Sequence, residues 1–148
     1  LDLAGDRAAS ERARPFDEMI ADLASADVVI LGEHHAHAEG HRLQARILDA
    51  LAARRDVALG MEFFESEDDE ALARYVAGGT LERMLEETAW AGFNFEMYRP
   101  LVDSQRARRA PVVGLNVPRS IVRTVSREGV AALTDAQYYN ATNEADSR

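Results

Sequence analysis

Three short apolar runs punctuate the chain, at residues 28–31, 57–61 and 111–115, and each stops at a polar group: Glu33 just past Gly32, Glu62 and Asn116. Runs of four or five apolar residues without alternation are the pattern of strands covered on both faces, as in parallel sheets. Between them lie segments with helical spacing. Phe16, Met19, Ile20 and Leu23 fall at i, i+3, i+4 and i+7 behind Pro15, a residue suited to a helix start. Leu43, Ile47, Leu48 and Leu51 form a second stripe, in a helix expected to begin between His37 and His41. Tyr98, Leu101 and Val102 make a third, and Ile121, Val122 and Val125 a fourth behind Pro118. This alternation predicts a three-layer α/β fold, a mainly parallel sheet flanked by helices. The 148 residues suit one core, hence a single domain over residues 1–148.

Punctuation supports these boundaries. Ser66 is expected to cap a helix whose first turn holds Glu67, Asp68, Asp69 and Glu70, and Gly78-Gly79 to stop it. Thr80 should cap a short helix through Glu87, and Thr134 with Gln137 has the form of a capping box. Residues 1–14 read as a polar entry segment and 88–96 as an aromatic loop holding Trp90, Phe93 and Phe95. The last expected helix gains no apolar stripe before Arg148, the pattern of an incomplete domain.

Two absences exclude more chemistry than any motif. Without cysteine there is no thiolate nucleophile, iron–sulfur ligation or cysteine-bearing zinc site. All 17 cationic side chains are arginine, so neither a Walker loop nor a pyridoxal Schiff base is available. Charge is uneven: residues 62–87 carry nine acids against two arginines, and residues 99–127 seven arginines against one acid. The net charge of -9 and the lack of an aromatic-interleaved basic stripe argue against nucleic acid as a partner. No apolar run is long enough to span a membrane.

In an open parallel sheet the ligand site lies outside the carboxyl ends of the strands. Glu33, Glu62 and Asn116 are expected there, converging on one crevice. The sharper signal is histidine, since all four lie between residues 34 and 41. Imidazole is the commonest metal ligand and the usual proton carrier near neutral pH. His37 and His41 share a helix face if the helix starts early, whereas His35 and His41 converge if a loop separates them. At most one of His34 and His35 faces the crevice. The cluster therefore predicts a metal, haem or acid/base site. Tyr98 has a phenol able to ligate iron, although its helical spacing fits a core position equally well. Arg99 and Arg119 are candidate anion partners, and Asn140-Ala141-Thr142 matches a glycosylation acceptor.

Residues 26–132 resemble the ChaN-like haem-binding proteins, related to the erythromycin-esterase-like and Tiki/TraB group. The likeness rests on Val29-Ile30-Leu31-Gly32-Glu33 with His35 and His41-Arg42-Leu43-Gln44, and on Ala58-Leu59-Gly60-Met61-Glu62-Phe63-Phe64. Arg74-Tyr75-Val76-Ala77-Gly78, Trp90-Ala91-Gly92-Phe93, Tyr98-Arg99-Pro100-Leu101 and Leu115-Asn116-Val117-Pro118-Arg119 extend it. The resemblance implies an α/β protein of haem or iron uptake, periplasmic or membrane-associated, often a lipoprotein, and able to hold haem between two subunits of a homodimer. It implies a haem crevice lined by Glu33, His35, His41, Glu62 and Asn116, with Tyr98 as an iron ligand and Arg99 and Arg119 toward the propionates. The wider superfamily implies an alternative. In a metal-dependent or acid/base hydrolase, Glu33 or Glu62 would activate water. A divalent metal ion would then be held by His35, His41 and Glu33.

Overall fold

A computed structural model describes residues 14–90, 94–135 and 137. The expected entry segment up to residue 13, Phe93 of the aromatic loop and the Asn140 acceptor fall outside them. The chain groups into two compact units, Leu1–Asp56 and Val57–Arg148.

The first unit holds α1 (Phe16–Leu23) and α2 (Ala38–Ala52). The Phe16, Met19, Ile20, Leu23 stripe faces inward as expected, with Ile20 fully buried. In α2 the buried residues are His41, Ala45, Ile47, Leu48 and Leu51, whereas Leu43 is exposed. The Arg46 guanidinium stacks 4.0 Å from the Phe16 ring centroid, a cation–π contact that ties the two helices. Past α2, Arg55 donates to the carbonyls of Ala24 and Ala26 at 3.2 and 2.9 Å, fixing the turn that leaves α1.

Residues 28–31 correct one expectation, because they form no strand. Val28 and Ile30 are 76% and 89% exposed, and no sheet ladder includes them. A continuous apolar run encodes a preference for burial; a strand also needs a neighbour that supplies hydrogen bonds.

The second unit runs β1 (Leu59–Glu65), α3 (Asp69–Val76), α4 (Leu81–Glu87), α5 (Arg99–Arg108), β2 (Val112–Asn116) and α6 (Arg119–Glu128), with single 3-10 turns at Ser66–Asp68, Phe95–Met97 and Val130–Ala132. The two strands pair in parallel, with helices packed against them, so the α/β class read from the alternation holds. The pairing begins in step, Leu59 with Val112, Gly60 with Val113 and Met61 with Gly114, and then a bulge carries Glu65 opposite Asn116. The bulge explains why Met61 and Phe64, three apart rather than two, are both buried. It also lengthens β1 beyond the expected end at residue 61. Glu62 therefore lies inside the strand and exposed, and Glu65 closes it.

Met61, Phe64, Leu72, Tyr75, Met84, Phe95, Tyr98, Val102 and Val112 form the core of this unit. Gln105, fully buried on α5, donates through its Nε2 to the carbonyls of Val57 and Pro111 at 2.9 and 3.1 Å, clamping the starts of both strands. Tyr75 donates to Asp103 Oδ1 at 2.6 Å, linking α3 to α5, and burial with that hydrogen bond raises its pKa. Thr80 caps α4 as expected, and the Thr134–Gln137 box closes reciprocally. The cap after β1 falls on Glu65 instead of Ser66, boxed with Asp68.

Gly114 permits the close approach of the strands at the bulge, since a Cβ there would sit 2.1 Å from the Glu65 carbonyl oxygen. Gly114→Ala is expected to cost about 3 kcal/mol, read as a lowered urea midpoint. Asp68 accepts the Glu65 N–H at 2.8 Å, and burial is the main cause raising its pKa. With the folded value above the unfolded one, its charged form costs stability. That cost is absent below the unfolded carboxyl range and complete once the pH has risen past the folded pKa. Asp68→Asn keeps the acceptor oxygen, so a small rise in urea midpoint is expected at neutral pH and none in acid.

Candidate functional site

The histidine-rich segment is a loop closed onto the start of α2. His37 is the N-cap, its Nδ1 accepting the Gly40 N–H at 3.0 Å, and the helix begins at Ala38. His37 and His41 therefore do not present a paired face, because the first is spent on capping. His35 and His41 converge instead, on either side of one carboxylate. His35 Nδ1 lies 2.6 Å from Glu33 Oε1, and His41 Nδ1 lies 3.4 Å from Glu33 Oε2.

His41 is the buried member, 1% exposed. Its Nε2 lies 3.1 Å from the His35 carbonyl oxygen, and its Nδ1 lies 3.1 Å from Gln44 Oε1. The Gln44 amide in turn reaches the Gly32 carbonyl at 3.5 Å. One imidazole thus holds the loop by its backbone, its acidic residue and the next turn of the helix. His35 is the presented member, with a side chain 48% exposed beside the 19% of Glu33. A carboxylate only accepts, so His35 donates to Glu33 through Nδ1. His34 also lies in the loop, exposed.

The divalent-metal expectation for His35, His41 and Glu33 is not met. Among the described residues no group of three or more metal-ligating side chains is arranged around an ion position. The two imidazoles turn their Nδ1 atoms to the one carboxylate, and the second nitrogen of His41 is taken by a carbonyl.

The remaining predicted residues belong to the second unit. Tyr98 is 1% exposed in an aromatic cluster, its ring centroid 4.9 Å from Phe63 and 5.6 Å from Trp90, the core position its spacing allowed. Asn116 is exposed at the end of β2. Arg99 is held by Glu96 and Asp103, and Arg119 by Glu65 through both its backbone N–H at 3.0 Å and its Nε at 2.9 Å. Neither guanidinium stands ready for an external anion. Sequence reasoning missed Glu65, Gln105 and the partner role of Gln44. Only Gln44 left a local signal, three residues after His41 on a helix.

A short strand-pair α/β unit and a Gly-Glu-x-His loop locked onto a helix define the class. The sequence matches the family described as haem-binding uptake, Tiki superfamily, ChaN over residues 19–147, and the chain belongs to that family. The backbone is similar to a solved structure described as cofacial heme binding to ChaN of Campylobacter jejuni, with a TM-score of 0.67 and 20% sequence identity. The match covers 80% of this chain and 51% of that one, so the chain spans about half the length of the protein it matches. No curated protein matches the sequence.

The division of labour between the two imidazoles is testable by stability. His41→Ala removes a buried side chain and strands its partners, an expected loss of about 2–4 kcal/mol. His35→Ala is expected to change stability by no more than about 0.5–1 kcal/mol. Urea unfolding followed by circular dichroism measures both.

Proposed function

We propose that this chain is a haem-binding protein serving haem uptake or handling, and that His35 would help hold the haem. The observation that carries the reading is the half-exposed His35 imidazole, held through Nδ1 by Glu33 within the segment that matches the haem-binding family. Haem, when bound, would supply an iron centre that a side-chain donor could hold.

The donor set fits. Metal-ligating histidines commonly donate their second ring N–H to a carboxylate, the arrangement His35 has with Glu33. Directly before them in the same unit, Val28, Ile30 and Leu31 are exposed apolar side chains, the chemistry a porphyrin face requires. His41 supports the loop and is assigned no iron. Tyr98, enclosed by aromatic rings, is likewise left in the core. Arg99 and Arg119 already hold carboxylates, so a propionate reaches either only by exchange. A haem-bridged homodimer is a further expectation of this reading, visible as a haem-dependent shift in sedimentation.

Haemin titration tests the proposal. The full chain is expected to give a saturable Soret band. His35→Ala is expected to weaken haem binding and Tyr98→Phe to leave the spectrum unchanged. A titration without saturation overturns haem binding. A saturable band indifferent to His35→Ala overturns the role of His35 alone.

A further inference from the structure

We propose that the cleft between α3 and the entry to β2 binds an amphipathic monocarboxylate, a small molecule with one carboxylate on an apolar chain. The site lies within the second unit and is independent of the histidine loop and of the haem reading.

Its walls follow from helical spacing and from one proline. Ala73, Val76 and the C-cap Ala77 fall at i, i+3 and i+4 and so share one face of α3. Pro111, which has no backbone N–H, and Val113 complete the apolar lining where the chain enters β2. The cleft encloses about 460 Å³, within the range of small-ligand sites. Val76 and Val113 are only partly buried, which leaves apolar surface for a ligand's chain to cover.

The two charged residues of the lining differ in how they are held. Asp69 is tied to the strand, its Oδ1 accepting the Gly114 N–H at 2.8 Å. Arg109 is the last of three arginines that end α5. Arg106 lies over the Tyr75 ring, 4.4 Å from its centroid, and Arg108 donates to the Ser104 carbonyl at 2.8 Å. Arg109 has no side-chain partner among the described residues, and it lines the cleft. Its backbone supplies a second observation. With φ 55° and ψ 35° it is left-handed, the conformation for which a helix end favours glycine. An arginine at this position bears a backbone cost and forms no internal ion pair, and its guanidinium is left for an anion in the cleft.

The charges select the ligand. A guanidinium grips a carboxylate through two parallel hydrogen bonds. The apolar chain then lies along the alanine and valine wall, and Asp69, by Gly114, repels a second carboxylate. A monocarboxylate is therefore preferred over a dicarboxylate or a neutral alcohol of the same length.

Octanoate is the probe, titrated into the full chain by calorimetry and followed by amide NMR. Saturable binding is expected, with the Ala73, Ala77 and Val113 amides shifting. Octan-1-ol and octanedioate are expected to bind at least about 10-fold more weakly. Arg109→Gly is expected to weaken octanoate by a similar factor while keeping or raising the urea midpoint, because glycine suits that backbone. Arg109→Lys keeps the charge and is expected to retain part of the affinity. Ala73→Leu, a substitution on the exposed face of α3, is expected to block the chain with Arg109 intact. Absence of saturable binding overturns the proposal, as does octan-1-ol binding as tightly as octanoate. Affinity indifferent to Arg109→Gly or to Ala73→Leu overturns it too. Displacement of octanoate by one equivalent of haemin also overturns it, since the cleft then belongs to haem.

Discussion

The second unit depends on a buried amide. Parallel strands separated by some fifty residues of chain cannot be joined by a hairpin, so their register must be set by what lies between them. Gln105 does this from α5, donating to a carbonyl at the start of each strand, Val57 on one and Pro111 on the other. The cost is an orphaned acceptor, since its Oε1 is buried without a hydrogen-bond partner. At the other end of the pair the register is held by Gly114 lying against the Glu65 backbone and by the Arg119–Glu65 pair. The aromatic cluster around Trp90 fills the space that these constraints enclose.

The first unit follows the opposite plan. The contacts around its histidines run from the loop at Gly32 to the second turn of the following helix at Gln44, so every one of them is local. A buried histidine that satisfies backbone and side-chain partners leaves its neighbour six residues earlier exposed and oriented. Had the two imidazoles shared the same surroundings, both would be structural or both presented. Burial of one separates the roles.

The uneven charge along the sequence has a similar resolution. Arg74 and Arg83 of the acidic stretch pair with Glu87, and two arginines of the basic stretch meet acids, Arg99 on Glu96 and Asp103 and Arg119 on Glu65. Hydrogen bonds from Arg83 and Arg74 hold the Glu87 carboxyl below its usual pKa. Exposed pairs of this kind contribute little to stability, but they decide which cations remain for an external anion.

By itself the sequence determined the helices, the two pairing strands and the family. Helical stripes such as Phe16, Met19, Ile20 and Leu23 are i, i+3 and i+4 relations, complete within one segment. The caps at Thr80 and Thr134 are equally local. The convergence of His35 and His41 across a loop was legible for the same reason. Tertiary structure alone decided the rest. It carried β1 on to Glu65, left residues 28–31 without a ladder, and buried Tyr98 and Gln105. It also gave Arg119 its partner fifty-four residues away. Those outcomes depend on which chain segment supplies a hydrogen bond or covers a side chain, and periodicity within a segment carries no information about its neighbour.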